Sequence, residues 1–145
     1  MITYRTMQEG DLEEALSIFK LFHEEAQLPY PIEDEALLSY LRLHLVNDNM
    51  IALAVVDDGE VVGGLLGMII PSIYDGKTLV AYQTHWFVKK EHRGKGYGMK
   101  LHLIFSEFAK LKDAKFQVIQ VRKFSTSFAR RHNYRFLDQL LVREV

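Results

Sequence analysis

The sequence predicts one α/β (α+β) domain on a central mixed, mostly antiparallel sheet, with elements in the order β-α-α-β-β-β-α-β-α-β. Three observations carry this. Two apolar runs, residues 51–56 and 61–70, flank Asp57-Asp58-Gly59-Glu60, whose Asp-Gly pair is a strong hairpin signal. A basic glycine-rich loop, Lys89-Lys90-Glu91-His92-Arg93-Gly94-Lys95-Gly96-Tyr97-Gly98, separates a strand end at Val88 from an amphipathic helix. With 145 residues, 48% of them apolar, the chain can bury one real core and has no room for a separate substrate domain, so residues 1–145 read as a single domain.

Residues 2–6 read as a short edge strand, and Asp11 with Glu14 three residues later resembles a capping box that opens a helix. Leu12, Ala15, Leu16, Phe19 and Phe22 recur on one face of that helix until Pro29-Tyr30-Pro31 breaks it. A second helix follows with Leu37, Leu38, Leu41 and Leu45 inward, and the breaker loop between the two is expected to wall a site. After the hairpin, Asp75-Gly76 turns the chain into a strand over residues 78–88. Beyond the glycine loop, Tyr97, Leu101, Ile104, Phe105, Phe108 and Leu111 keep helical spacing. Residues 116–121 read as a strand, 125–132 as a short helix with Ser125 as N-cap, and 136–142 as a closing strand.

The absence of cysteine excludes disulfides and thiolate metal sites, and no signal-peptide pattern opens the chain, so a cytoplasmic location is expected. The longest apolar candidate, residues 61–73, is broken by Gly63, Gly64, Gly67 and Pro71, which argues against membrane insertion. A net charge of -1 conceals a division: residues 1–88 carry 4 basic and 14 acidic side chains, and residues 89–135 carry 13 and 3. A polyphosphate would be drawn to the second segment and a cation tolerated by the first.

The glycine loop is built to hold phosphate. Gly94, Gly96 and Gly98 let successive N–H groups converge, the following helix presents the positive end of its dipole, and Arg93 and Lys95 add full charges. The same glycines could make only a tight turn, but the basic side chains, the strand before and the helix after all coincide. The loop lacks the G-x-x-x-x-G-K-[ST] of a Walker motif, and its G-x-G-x-G differs from the dinucleotide fingerprint.

Arg93-Gly94-Lys95-Gly96-Tyr97-Gly98 matches the R-x-x-G-x-G/A motif of the GNAT superfamily of N-acetyltransferases, and the element order resembles that family's topology over essentially the whole chain. Trp86-Phe87-Val88 and the helix with Leu101, Phe105 and Ala109 look most like the small acetyltransferase-like proteins of phages and bacteria. The resemblance implies that the fourth and fifth strands splay apart, that acetyl-CoA lays its pyrophosphate on the amides of residues 94–98, and that its pantetheine arm pairs with the backbone of Trp86, Phe87 and Val88. It implies direct acetyl transfer to a primary amine of a small molecule or a protein.

An aliphatic amine with a pKa near ~10.4 is deprotonated about once in ~2500 molecules at pH 7, so a base is expected near the sulfur. Tyr82, Gln83, Thr84 and His85 lie there, and of these His85 is the obvious base near neutral pH; a structural, hydrogen-bonded histidine is the competing reading. Period-two alternation puts Gln83 and His85 on one face and Tyr82, Thr84, Trp86 and Val88 on the other, unless a bulge intervenes. Catalytic expectations therefore rest on His85, Gln83 and Tyr82, although a glutamine cannot act as a base.

A strand amide such as that of Phe87 would stabilise the developing oxyanion. Aligned on Phe128, Ala129 stands where the family's thiolate-protonating tyrosine usually does, leaving water or Tyr134 for that role, with core packing the commoner use of a tyrosine there. Glu24, Glu25 and Tyr30 flank the acceptor wall, and His92 and Lys95 border the phosphate. The six histidines lack metal-ligand spacing, so no metal is expected.

A second reading, an acyl-CoA-binding module with weak or lost catalysis, draws on Gln83 and Ala129. A third, nucleic-acid binding through Arg122, Lys123, Arg130, Arg131 and Arg135, is disfavoured by the missing aromatic stacking pattern and the acidic first half. The closing strand could pair across a homodimer.

Overall fold

The computed structural model describes residues 1–122, 125–138 and 140–145. Its sheet runs β1 (Ile2–Thr6), β2 (Met50–Asp57), β3 (Glu60–Pro71), β4 (Leu79–Val88) and β5 (Phe116–Ile119) in spatial as well as chain order. The first three pairings are antiparallel and β4 pairs parallel with β5. Helices α1 (Leu12–Ala26) and α2 (Asp34–Val46) cover one face, while α3 (Tyr97–Leu111) is the crossover covering the other; α4 (Thr126–Arg131) follows β5. The mixed, mostly antiparallel sheet is the one the sequence predicts.

Alternation in β2 distributes its side chains between the two layers. Ala52, Ala54 and Val56 join Leu12, Ala15, Ile18 and Leu41 under α1 and α2. Ile51, Leu53 and Val55 join Leu101, Phe105 and Ala109 under α3. Gly67 is required here, because a Cβ at that position would stand 2.1 Å from the Phe105 ring. The Phe105 ring thus lies directly on the strand, which seats α3 close to the sheet and fixes where its N-terminus falls.

Several local expectations change. Asp11 belongs to a short 3-10 turn ahead of α1, where its carboxylate accepts from the Gln8 backbone N–H at 2.7 Å and pairs with Arg5 at 2.6 Å. Glu14 is no capping partner; it accepts from the Val61 backbone at 2.9 Å and ties α1 to β3. The fifth strand ends at Ile119 instead of residue 121. Ser125 does cap α4, its Oγ accepting from Phe128 N at 3.2 Å.

The expected closing strand is not formed among the described residues of 136–142. Its apolar residues come in doublets, Phe136-Leu137 and Leu140-Leu141, so no single strand face collects them; Leu140 and Leu141 are exposed. Gln139 within that run, and Lys123 of the basic cluster, lie outside the described residues.

Candidate active site

The site begins where two parallel strands part. β4 and β5 pair from Val80 with Phe116 to Gln83 with Ile119, and a last contact joins Gln120 N to Gln83 O at 3.4 Å. β4 then runs on to Val88, with β3 as its only strand neighbour among the described residues. Its outer backbone edge is therefore open over the segment expected to receive an extended ligand arm.

A bulge at Thr84 changes which side chains reach which face. In the β3–β4 ladder His85 pairs with Leu66 and Gln83 with Gly67, so Thr84 is the extra residue, and its Oγ1 donates to Leu66 O at 3.3 Å. Strict alternation put Gln83 with His85; the bulge separates them. Gln83 and Trp86 face α3, where both contact or stack on His102, whereas His85 and Phe87 face α1, against Phe22 at 5.4 and 6.1 Å between ring centroids. Tyr82, opposite Met68 and Val118, lies on the face away from Ala81 and Gln83.

Two adjoining hollows follow the open edge. The larger, about 390 Å³, is lined by Trp86, Phe87, Val88 and the loop residues His92, Arg93, Gly94, Gly96, Tyr97, Gly98 and Met99. The smaller, about 190 Å³, shares Trp86, Phe87, Val88 and Arg93 and adds Phe22, Glu25 and Arg122. Gly94 and Gly96 hold φ of +80° and +82°, a conformation that L side chains resist, and open space lies above both. α3 starts immediately after, at Tyr97, so the N–H groups of its first turn have no helical acceptor and face this end of the cleft. The Trp86 indole N–H donates to Gly98 O at 2.8 Å, fixing the ring over the start of α3.

The charges around the loop do not all lie where the sequence suggests. Arg93 turns away from the loop amides: its Nε donates to Val88 O at 2.8 Å, and its Nη1 and Nη2 reach the two carboxylate oxygens of Glu25 at 2.8 and 2.6 Å. Lys95 extends over the Tyr97 ring at 5.9 Å, and His92 Nδ1 is 3.7 Å from Asp57 Oδ2. Glu25 is held below the usual carboxylate range by its bond to Arg93. Glu24 and Tyr30 line neither hollow, and the Tyr30 carbonyl instead meets His23 Nε2.

On the α1 and α2 side, His85 is packed among Phe19, Phe22 and Tyr40, with centroids 5.0, 5.4 and 6.3 Å away. Burial pushes its imidazole down to about 4, helped by nearby His44, so the ring is neutral at pH 7. On the α3 side lies a polar cluster that sequence reasoning missed. Gln83, 1% exposed, accepts from His102 Nδ1 at 2.8 Å, and the Tyr134 hydroxyl stands 3.5 Å from His102 Nε2. Tyr134 reaches this point because its N–H bonds to Ala129 O and its ring stacks on Phe128. Burial lowers His102 to about 4 and raises Tyr134 to about 12. The one signal available was a histidine in the apolar stripe of a helix. Among the described residues no three His, Asp or Glu side chains converge as a metal site, and no helix is long and apolar enough to cross a membrane.

Comparison with known proteins agrees with this fold. The model of the acetyltransferase (GNAT) family matches residues 15–136, and the chain belongs to that family. Its fold is similar to that of an acetyltransferase from Trypanosoma brucei, 18% identical with a TM-score of 0.79 and all of both chains covered. It is also similar to a predicted acetyltransferase from Clostridium acetobutylicum solved with acetyl-CoA, 17% identical with a TM-score of 0.82, covering 99% of this chain and 96% of that one. An aminoglycoside acetyltransferase from an uncultured soil sample, solved with sisomicin, is 20% identical with a TM-score of 0.71, covering 99% of this chain and 95% of that one. No curated protein matches in sequence.

Proposed function

We propose that the chain is an N-acetyltransferase that transfers the acetyl group of acetyl-CoA directly to a primary amine of a small molecule or a protein. The observation that carries this is the parting of β4 from its parallel neighbour at Gln83, which leaves an open strand edge leading to the glycine loop and the head of α3. Acetyl-CoA fits both ends: the amides around Gly94, Gly96 and Gly98 receive the pyrophosphate, and the edge of Trp86, Phe87 and Val88 receives the pantetheine arm. Its acyl end then reaches the fork at Gln83 and Thr84, between the His85 face and the His102 face.

The acceptor enters from the α1 and α2 side. Its nitrogen, once free of its proton, attacks the thioester carbonyl; the C–S bond breaks as the C–N bond forms, and a strand N–H steadies the oxyanion. His85, neutral and with a depressed pKa, offers a lone pair that can pass a proton to water but not hold it, so solvent is the final proton acceptor. Gln83 accepts from His102 through its side-chain oxygen, while its buried Nε2 has no hydrogen-bond partner among the described residues. An amide neither takes nor gives a proton at neutral pH, so Gln83 serves the fork by orienting His102. Tyr82 is placed there by its backbone pairing with Met68 and Val118. Tyr134, turned onto His102 and raised to about 12, is a poor acid, and the departing thiolate takes its proton from water. A thiol pKa near ~8.5 makes that tolerable.

A second reading, an acyl-CoA-binding module with little turnover, is favoured by one feature: Ala129 stands where the family's tyrosine acid usually does, and Tyr134 lines neither hollow. Calorimetric titration with acetyl-CoA and CoA, followed by thiol release over a panel of amines and polyamines, separates the readings. Binding with release supports the enzyme, binding without release supports the module, and no binding removes both.

A further inference from the structure

Arg93 sits where the two hollows adjoin. It lines both hollows, lies 5.0 Å over the Phe87 ring, and spends three of its N–H groups within the protein: Nε on the Val88 carbonyl, and one each from Nη1 and Nη2 on Glu25. Val88 is the last residue of β4, beyond the point where β5 stops pairing, so its carbonyl belongs to the stretch that an added extended arm would use. A side chain of the protein already holds it. The end of α1 is gripped from both sides of the fork, because Arg122, past the end of β5, donates to the Ala26 carbonyl at 2.9 Å while Arg93, past the end of β4, holds Glu25 next to it.

Resting on the reading of the cleft as an acetyl-CoA site, we propose that the Glu25–Arg93 pair is a built-in competitor of the cofactor. Binding transfers Arg93 from Glu25 and the Val88 carbonyl to the phosphate and amide oxygens of acetyl-CoA. The exchange is feasible on charge. Glu25 is a single carboxylate among Arg93, Lys90 and Arg122, and a pyrophosphate brings more negative charge and more acceptor oxygens to the same guanidinium. It is also readily reversible. Both side chains are partly open to solvent, 38% for Arg93 and 51% for Glu25, and an exposed pair of this kind shifts an equilibrium by a factor of about five at most. The cofactor therefore releases one of the two holds on the end of α1, while Arg122 keeps its bond to the Ala26 carbonyl.

The test compares acetyl-CoA dissociation constants by calorimetry for the wild type, Glu25→Gln, Glu24→Gln and Arg93→Gln, and for the double variant Glu25→Gln with Arg93→Gln. Glu25→Gln is expected to bind about two- to fivefold more tightly. Glu24→Gln removes the same charge one residue away without touching Arg93, and should change affinity by less than half that factor. In the Arg93→Gln background the Glu25 substitution should have no effect, which a merely structural or long-range electrostatic role of Glu25 would not produce. Weaker or unchanged binding in Glu25→Gln overturns the competition and leaves the cofactor assignment standing, as does equal tightening in Glu24→Gln. Absence of acetyl-CoA binding in the wild type overturns the assignment itself.

Discussion

The side-chain oxygen of Gln83 accepts the Nδ1 proton of His102 at 2.8 Å, joining the strand at the fork to the second turn of α3. This bond fixes the histidine tautomer, with the proton on Nδ1 and the Nε2 lone pair toward the Tyr134 hydroxyl. Both partners are almost wholly buried, so neither has water to fall back on. It also gives Gln83 a role that needs no acid–base chemistry.

Replacing Gln83 by Leu keeps the volume and strands the His102 N–H in an apolar wall. The expected loss of stability is about 1–3 kcal/mol, read from the urea midpoint at constant m-value. Gln83→Glu should instead place a carboxylate beside His102 and draw the imidazole pKa upward, visible by NMR titration. A leucine variant as stable as the wild type would mean that the bond contributes little to folding.

The two depressed histidines set a pH dependence. His85 and His102 stand near 4 in the folded chain and near 6.5 when unfolded, so between these values the unfolded state binds more protons. Their stabilising effect is complete above pH 6.5, falls as the pH drops toward 4, and amounts to at most about 3 kcal/mol per ring. Thermal melts from pH 7 to pH 4 should show a steady decline that His85→Phe makes shallower.

The hairpin, the glycine loop and its helix were legible because each is written in contiguous residues: Asp58-Gly59 between apolar runs, and Gly94 to Gly98 before a helical stripe. The faces of β4 were not. One extra residue at Thr84 reverses everything after it, and nothing in the run from Tyr82 to Val88 marks that residue as the bulge. The partners of Arg93 and His102 were equally hidden, since Glu25 is 68 positions away and Gln83 is 19, contacts that only the folded sheet creates. The closing strand failed for a different reason: its apolar doublets meet composition rules but not the period of a half-buried strand.

Gly96 combines positive φ with the last position before α3, and both properties serve the amide cradle. A Gly96→Val variant has room for its side chain but must strain the backbone or turn the amides away. The expected result is loss of measurable acetyl-CoA binding by calorimetry, with the circular dichroism spectrum and melting cooperativity retained. Binding within threefold of the wild type would remove the pyrophosphate from this loop.

The rate profile tests the place of His85. An imidazole held near 4 is already unprotonated from pH 5 upward, so its titration contributes no limb near 6.5 to kcat/KM. The fraction of unprotonated amine governs instead, and log kcat/KM should rise by about one per pH unit toward the amine pKa near ~10.4. His85→Ala should lower the rate, through the lost proton relay to water and the lost packing against Phe19, Phe22 and Tyr40, and leave the shape of the profile alone. An inflection between pH 6 and 7 in the wild-type kcat/KM that disappears in His85→Ala would show that His85 titrates well above 4 before the acceptor binds and acts as the base.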